Sequence, residues 1–345
     1  MKKKLALSAI SILFTLLLAE IALRILGIGA IGRGSPWFAG GNHPRFLFQP
    51  DAASGYTLRP GFHGREVSQT HEFAVPVAVD ARGLRVQPHS APPGPGVLTV
   101  GDSMTFGEGV PEDRSYSAVL ERTLGARVYN AGVPGYSSAQ MLGRMRGYLP
   151  AFQPRVVLMT LSPQWDRQRC ATPFVYKDGY IVAQGFADRL VLVNGNLYLK
   201  ETRLPVLGTA TVFAKYHSNL MRLALPALAN GVRALRQEKE EAPAPAAYEP
   251  TVRNLEEGQR LARSFGARFF AVLIDDRGPA FRRDRMELQS RLAAAGISYL
   301  AVDDLTPGRD WAPLRFPKDG HWNVAGHEAA GRALAPRIRP FLINP

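Results

Sequence analysis

Residues 96–116, GVLTVGDSMTFGEGVPEDRSY, contain a short apolar run that ends abruptly at Gly101-Asp102-Ser103. Residues 97–100 have the aliphatic and β-branched side chains of a buried strand. Gly107 and Gly109 follow closely and indicate a tight turn next to a helix. Ser103 is therefore either a turn residue or a nucleophile displayed where a strand meets a helix.

Similar apolar runs recur along the chain and alternate with helical patterns. The segment 115–124 predicts an amphipathic helix that ends at Gly125. Uninterrupted apolar strands that alternate with helices predict an α/β fold whose parallel sheet is covered on both faces. In such sheets functional residues gather beyond the carboxyl ends of the strands. The later runs are Arg127–Tyr129, Val156–Leu161, Phe269–Ile274 and Ser298–Val302.

Two regions depart from this alternation. Residues 30–95 are rich in Gly, Pro and His, and the alternating stretch 73–79 predicts an edge strand. In residues 171–250, Asp178-Gly179 and Asn194-Gly195 predict hairpin turns, and a helical segment follows them. We interpret residues 96–345 as one catalytic domain. Residues 171–250 are an insertion that covers part of its site, and residues 30–95 pack on the domain as an extended region.

The N-terminus has the pattern of an export signal or a signal anchor, because three lysines precede an apolar stretch. The segment 5–27 has about 23 residues and would form roughly 34 Å of helix, which is enough to span a bilayer. Gly27-Ile28-Gly29 is a candidate cleavage site, but apolar character continues past Arg24 and favours a retained anchor. We expect residues 1–29 to be this segment. The rest would face the periplasm or exterior from the inner membrane, or be secreted if the signal is cleaved.

Composition excludes several classes of function. The chain has 345 residues, of which 46% are hydrophobic, so it can bury a globular core. A single cysteine, Cys170, excludes a disulfide framework within the chain. The seven histidines lack HxH or HExxH spacing, so we expect neither a metal nor a cofactor. The net charge of +13 suits anionic partners, but no basic run with interleaved aromatics is present, so we expect no nucleic acid.

An aspartate and a histidine near the C-terminus complete a candidate catalytic set. Asp319 lies two residues before His321, and Asn323 is a good N-cap for a helix. A serine nucleophile needs a base, and the base needs an orienting partner, which suits His321 and Asp319. The N–H groups of Ser103 and Gly132 suit the binding of an oxyanion. In the alternative interpretation Asp319 is a helix cap and Gly132 serves a turn.

Three blocks of this sequence resemble the GDSL family of serine hydrolases, also called SGNH hydrolases. They are VGDSMTFGEGV, VYNAGVPGYSS and DGHWNVAGH. The stretches SGYTLRPGFHGR, VDARGLRV and LLLAEIALRILG resemble the membrane-anchored bacterial members. The resemblance implies a flavodoxin-like, doubly wound sheet in three αβα layers, and esterase or acyltransferase chemistry. It places the family's serine on Ser103, its glycine on Gly132, and its Asp and His on Asp319 and His321.

The chain departs from the family after the third strand. The family has Gly-x-Asn-Asp there, and the asparagine is a third oxyanion donor; this chain has SPQWDRQR, which we interpret as a loop. Gln164 can supply an amide by reaching one methylene further, with Asp166 on the family's aspartate. A direct alignment instead puts Trp165 on the asparagine. Loss of one oxyanion donor typically costs about 100- to 1000-fold in rate.

Two classes of function follow from these residues. The first is a serine esterase or O-acyltransferase that acts through a seryl acyl-enzyme on an acyl ester, such as an O-acetyl group of a cell-envelope glycan or lipid. The second is a catalytically weak or inactive binding protein, anchored to the membrane, on the same fold. The set Ser103, Asp319 and His321 favours the first class, and the missing asparagine keeps the second open.

Overall fold

The computed structural model describes residues 2–26, 28, 41–200, 205–235, 247–274 and 278–343. The chain divides into two compact units, which are described one at a time. The larger unit comprises residues 42–185 and 244–345, and the smaller one comprises residues 1–41 and 186–243. The proposed cleavage site at Gly27 and Gly29 lies outside the described residues.

The strands are numbered along the chain. They are β1 (Phe48–Asp51), β2 (Gly55–Leu58), β3 (His63–Val67), β4 (Ala74–Ala78), β5 (Val97–Gly101), β6 (Val128–Asn130), β7 (Val156–Leu161), β8 (Phe174–Lys177), β9 (Tyr180–Ala183), β10 (Leu190–Val193), β11 (Asn196–Leu199), β12 (Arg268–Leu273) and β13 (Tyr299–Ala301). The antiparallel pairs are β1–β2, β3–β4, β8–β9 and β10–β11.

The α-helices are numbered in the same way. They are α1 (Lys2–Ile25), α2 (Ser103–Phe106), α3 (Tyr116–Leu124), α4 (Ser138–Phe152), α5 (Pro163–Ala171), α6 (Pro205–His217), α7 (Asn219–Leu235), α8 (Glu249–Ser264), α9 (Gly278–Ala294), α10 (Val324–Ile338) and α11 (Pro340–Ile343).

The centre of the larger unit is a parallel sheet of five strands in the order β13-β12-β7-β5-β6. In chain order this is 2-1-3-4-5 read from the β6 edge, which is the flavodoxin-like order. The predicted α/β fold is therefore confirmed, and all five predicted apolar runs are strands. The order of the strands reverses between β5 and β7, so a crevice opens beyond their carboxyl ends.

The sheet is covered on both faces, as its uninterrupted apolar strands require. Val157, Met159 and Leu161 of β7 pack in a core with residues of α4, α8 and α9. Val156 and Leu158 pack in a second core with residues of α3 and α10. Successive side chains of a strand point to opposite faces, so the two cores alternate along β7 and give the three αβα layers.

Local signals set the element boundaries. The Ser115 side chain accepts from the N–H of Ala118 and begins α3, and Gly125 ends that helix in the left-handed region at φ +67°. The predicted turns Asp178-Gly179 and Asn194-Gly195 have positive φ at both residues, which suits two-residue hairpins. The edge strand predicted within 73–79 is β4, which pairs with β3.

One local prediction is wrong: the segment SPQWDRQR is a helix and not a loop. Pro163 occupies the first turn of α5, where its fixed φ suits a helix start and its missing N–H is not needed. Asp166 lies on the buried side of this helix. Its carboxylate accepts hydrogen bonds from the N–H (2.5 Å) and Oγ (2.9 Å) of Ser138 and from Thr251 Oγ1 (2.7 Å). These bonds join α4, α5 and α8. Asp166 is therefore a structural acceptor.

The smaller unit contains α1, the β10–β11 hairpin, α6 and α7. Within α1, residues Ala6–Ile25 have the length and hydropathy of a membrane span, and that window is not buried at all. A signal sequence has the same properties, so the helix by itself fits either an anchor or a signal. How residues 171–250 relate to the active site stays a prediction.

Asp166→Ala is expected to lower the free energy of unfolding by about 2–3 kcal/mol, because it leaves buried donors of Ser138 and Thr251 without an acceptor. Urea denaturation of the detergent-solubilised chain, followed by tryptophan fluorescence, measures the change. Glu256→Ala on the exposed face of α8 is the matched control and should stay within about 0.5 kcal/mol of the wild type. Equal stability of the two variants would contradict the structural role of Asp166.

Candidate active site

The predicted nucleophile lies where β5 turns into α2. Asp102 caps α2 by accepting from the N–H of Met104 at 3.0 Å, and Ser103 is the first residue of the helix. A Cβ on Gly101 would lie 2.0 Å from Thr105 Oγ1, so this turn requires glycine. Ser103 is only 6% exposed and stands at the edge of the crevice between β5 and β7.

Ser103, His321 and Asp319 form one chain of hydrogen bonds. Ser103 Oγ lies 2.8 Å from His321 Nε2, and His321 Nδ1 lies 2.5 Å from Asp319 Oδ1. Asp319 and His321 precede α10, whose N-cap is Asn323, as predicted. Gly320 between them has φ +92°, a value that favours glycine. The structure thus brings together the three side chains that the sequence pointed to. A neutral His321 in this geometry can take the proton of Ser103.

Residues of the N-terminal region hold Asp319 in place, and sequence reasoning did not identify them. Asn42 Nδ2 donates to Asp319 Oδ2 at 2.7 Å, and the N–H of Asp319 donates to Glu72 Oε2 at 2.7 Å. Burial by itself raises the pKa of Asp319, but hydrogen bonds from His321 and Asn42 and the charge of His321 outweigh it and lower that pKa to about 2. Asp319 therefore stays ionised and fixes the orientation of the His321 ring.

Gly132 lies in the loop after β6, alongside the end of β5. The N–H of Val133 donates to Gly101 O at 3.0 Å, and the N–H of Gly132 donates to Asn130 Oδ1 at 3.1 Å. A Cβ on Gly132 would lie 2.3 Å from the backbone nitrogen of Phe106, so close backbone packing already requires glycine here. To bind an oxyanion, the Gly132 N–H must be shared with Asn130 or released from it.

Gln164 is the second residue of α5, directly after β7. It is half-buried, and its Oε1 is buried with no hydrogen-bond partner in the part of the chain that the structure describes. Trp165, the alternative in the alignment, is 40% exposed and lies near Phe281. The same helix also supplies Arg169, which donates to Asp102 Oδ2 at 2.9 Å beside the nucleophile.

One family of known proteins matches part of this sequence. Residues 99–162 match the GDSL-like lipase/acylhydrolase family. The match covers 64 residues, which include Ser103 and Gly132. The predicted resemblance is thereby confirmed, and ester hydrolysis is the chemistry that the family supports. No curated protein matches the sequence.

Several solved structures resemble the chain at low identity. A lipase/acylhydrolase from Enterococcus faecalis is 13% identical, with coverage of 71% of this chain and 96% of that one and a TM-score of 0.38. An acetylxylan esterase from Geobacillus stearothermophilus, solved as a catalytic mutant, is 13% identical, with coverage of 73% and 96% and a TM-score of 0.39. A G-D-S-L family member from Veillonella parvula is 11% identical, with coverage of 70% and 96% and a TM-score of 0.36. Likenesses of this size carry no argument about substrate.

A second carboxylate, Glu108, lies against the histidine of this candidate site. Glu108 Oε2 is 3.6 Å from His321 Nε2 and 3.4 Å from the Nε2 of His43. The other ring nitrogen of His43 is 2.9 Å from Glu66 Oε1, and all three of these supporting side chains are buried. Asn42 Nδ2 donates to Glu108 Oε1 at 2.7 Å as well as to Asp319. We call Glu66, His43 and Glu108 the buried relay.

The buried relay changes the electrostatics of His321. Burial by itself lowers the pKa of His321, but the charges of Glu108 and Asp319 together outweigh it and raise that pKa to about 9. Burial also opposes the charge of His43, and again the neighbouring carboxylates of Glu108 and Glu66 raise its pKa. A positive charge on His321 is thus favoured, which stabilises the imidazolium that forms when the serine gives up its proton.

Glu108, Asp319 and His321 bring one potential metal ligand each to within 4.8 Å of one another. Both ring nitrogens of His321 are already hydrogen-bonded, to Asp319 and to Ser103. A metal at this place would have to break the Ser103–His321–Asp319 chain. The geometry favours proton transfer over metal binding.

The pH dependence of ester hydrolysis tests this electrostatic arrangement. The rate is expected to rise with pH up to about 9, because His321 must be neutral to accept a proton. Glu108→Gln removes a negative charge that raises the pKa of His321. The inflection of the pH–rate profile should therefore move down by about one pH unit or more. Glu112→Gln, the same change four residues away, is the control and should leave the inflection in place. An unchanged inflection in Glu108→Gln would contradict the role of the relay.

Proposed function

We propose that the protein is a serine esterase in which Ser103 is the nucleophile, His321 the general base and Asp319 its orienting partner. The observation that carries this proposal is the hydrogen-bonded chain of 2.8 Å and 2.5 Å through these three side chains. Ser103 Oγ bonds to the acyl carbon while its proton moves to His321 Nε2. The ester C–O bond then breaks, and the leaving alcohol takes the proton back from His321.

The same residues catalyse the breakdown of the acyl-enzyme. Water, or the hydroxyl of an acceptor, gives its proton to His321 and attacks the acyl carbon. The bond between Ser103 Oγ and the acyl carbon then breaks, and Oγ takes the proton back from His321. Hydrolysis and acyl transfer therefore use one set of side chains and differ only in what enters the site. Asp319, ionised at all ordinary pH values, stabilises the imidazolium during both half-reactions.

The oxyanion of each tetrahedral intermediate needs fixed donors. The N–H of Ser103 belongs to the first turn of α2, so no carbonyl within the helix accepts from it. The N–H of Gly132 is the second donor once it is shared with Asn130. Gln164 is the proposed third donor: a half-turn about its last side-chain bond puts Nε2 where the unpartnered Oε1 now lies.

The proposed substrate is an acyl ester of the cell envelope, such as an O-acetyl group on a glycan or lipid. The apolar helix α1, which begins with lysines, supports this location because it fits an anchor or an export signal. By the positive-inside rule, the proposal puts the body of the chain outside the cytoplasm. The proposed place of action is the outer face of the inner membrane.

A second candidate function is a binding protein with weak catalysis, favoured by the state of the oxyanion donors. Asparagine is absent after β7, and the N–H of Gly132 is engaged by Asn130. If these donors cannot converge, the site binds an ester without turning it over quickly. The esterase forms a covalent acyl intermediate on Ser103 at an appreciable rate, whereas the binding protein does not.

Labelling with a fluorophosphonate should place one adduct on Ser103, identified by mass spectrometry of the detergent-solubilised full chain. Ser103→Ala should abolish the adduct, and His321→Ala should slow its formation by about 10³-fold or more, because the serine loses its base. Ser264→Ala on α8 is the control and should label like the wild type. A folded wild-type protein without an adduct would favour the binding protein. Acetylated sugars and short- and long-chain esters then identify the acyl group.

Gln164→Ala should reduce kcat by roughly 10²-fold with KM nearly unchanged, because an oxyanion donor acts mainly on the transition state. The measurement is steady-state hydrolysis of whichever ester the panel identifies. Gln168→Ala, on the exposed face of the same helix, is the matched control and should keep the wild-type rate. Unchanged turnover in Gln164→Ala would remove Gln164 from the site and leave a two-donor oxyanion hole.

A further inference from the structure

The end of α1 is joined to the corner between α6 and α7 by a set of partly buried hydrogen bonds. Glu20 Oε1 accepts from the N–H of Asn219 at 3.0 Å, and Glu20 Oε2 accepts from the N–H of Leu220 at 2.9 Å and from Ser218 Oγ at 2.8 Å. The carboxylate thus caps the N-terminus of α7, where orphan N–H groups and the helix dipole favour a negative charge.

Other bonds close the same joint. Arg24 pairs with Glu20 at 2.7 Å and donates to the carbonyl of His217 at 2.5 Å. Asn219 Nδ2 donates to the carbonyl of Ile28 at 2.9 Å. Both charged residues that follow Lys4 in α1 are therefore used in one tertiary contact. A signal peptide that is removed has no need of such a contact, whereas a retained helix gains a fixed partner.

The two helices that leave this corner expose apolar side chains. On α6, Val206, Ala210 and Phe213 lie on one face at i, i+4 and i+7, and Val206 is 84% exposed. On α7, Leu223 and Leu228 are exposed, the latter by 65%. Exposed apolar surface of this extent marks a contact with a membrane or another protein.

We propose that α6 and α7, the helical hairpin, lie in the interface of the same bilayer that α1 spans, with their exposed apolar side chains in the boundary between head groups and acyl chains. The bilayer is favoured as the occupant because the corner is held at the end of the apolar window Ala6–Ile25, which is the depth of the interface. Amphipathic helices at that depth bury their apolar face in lipid. This proposal concerns the smaller unit and is independent of the esterase chemistry.

Two consequences follow for the smaller unit. Residues 1–29 are retained in the mature protein, because the joint would be lost with them. The helical hairpin α6–α7 belongs to the membrane-bound part of the chain. The membrane is therefore contacted by a span and by a surface-lying hairpin that the Glu20 cap ties to it.

The test uses the full chain with Cys170→Ala, so that one new cysteine at a time carries an environment-sensitive fluorophore. Phe213→Cys and Leu228→Cys report the hairpin, and Arg263→Cys on the exposed face of α8 is the matched control. The proteins are reconstituted in phosphatidylcholine–phosphatidylglycerol vesicles that contain lipid with a nitroxide on the acyl chain. The hairpin labels should show blue-shifted emission and be quenched by about twofold or more, and the control label should not.

Three outcomes would overturn the proposal. One is quenching of the hairpin labels no stronger than that of the control. Another is a blue shift without quenching by lipid, which would show that a second copy or another protein covers the hairpin. The third is a mature protein whose intact mass begins near residue 30.

The joint itself is tested with two substitutions of Glu20. Glu20→Leu makes α1 more apolar, so the chain should stay in the vesicles, but quenching at Phe213→Cys should fall towards the control value because the cap is lost. Glu20→Gln keeps an oxygen that accepts from the α7 N–H groups and should retain most of the quenching. Equal quenching in wild type and Glu20→Leu would show that the cap does not hold the hairpin.

Discussion

The hydrogen bond between Ser103 Oγ and His321 Nε2 joins residues that are 218 positions apart in the chain, and the architecture of the larger unit is what makes it possible. Ser103 follows β5, and His321 follows the last strand of the sheet. Parallel strands bring their carboxyl ends to one edge, so loops distant in sequence meet there. Glycines at the close approaches, such as Gly101 and Gly132, let the backbones come near enough for the side chains to bond.

The region before the sheet completes the site. Asn42 and Glu72 hold Asp319, and Arg85 donates to the carbonyls of Phe106 and Val110, on either side of Glu108. Arg85 belongs to VDARGLRV, one of the stretches that resemble anchored family members. A buried glutamate beside a catalytic-type histidine needs compensating donors and charges, because an unpaired buried charge is costly. The N-terminal region supplies these, so it is part of the candidate active site.

The helix α5 replaces the block in which the family carries its asparagine. The helix begins at Pro163, and the buried Asp166 bonds it to α4. The pair Arg169–Asp102 connects the helix to the turn that carries Ser103. These interactions place an amide, Gln164, at the carboxyl end of β7, next to β5. The segment thus keeps an amide side chain at the edge of the sheet where the proposed third oxyanion donor would lie.

The sequence by itself determined the class of fold, the five central strands and the three residues Ser103, Asp319 and His321. Short-range physics suffices for these, because hydrophobic periodicity, caps and turn glycines act over a few residues. Only the tertiary structure decided that SPQWDRQR is helical, since burial of Asp166 against Ser138 and Thr251 overrides the loop-like composition. It also decided the roles of Glu108, His43 and Asn42, and of Glu20 at the corner of the helical hairpin. Each of these depends on partners from 23 to 277 positions away, which packing brings together and no local pattern records.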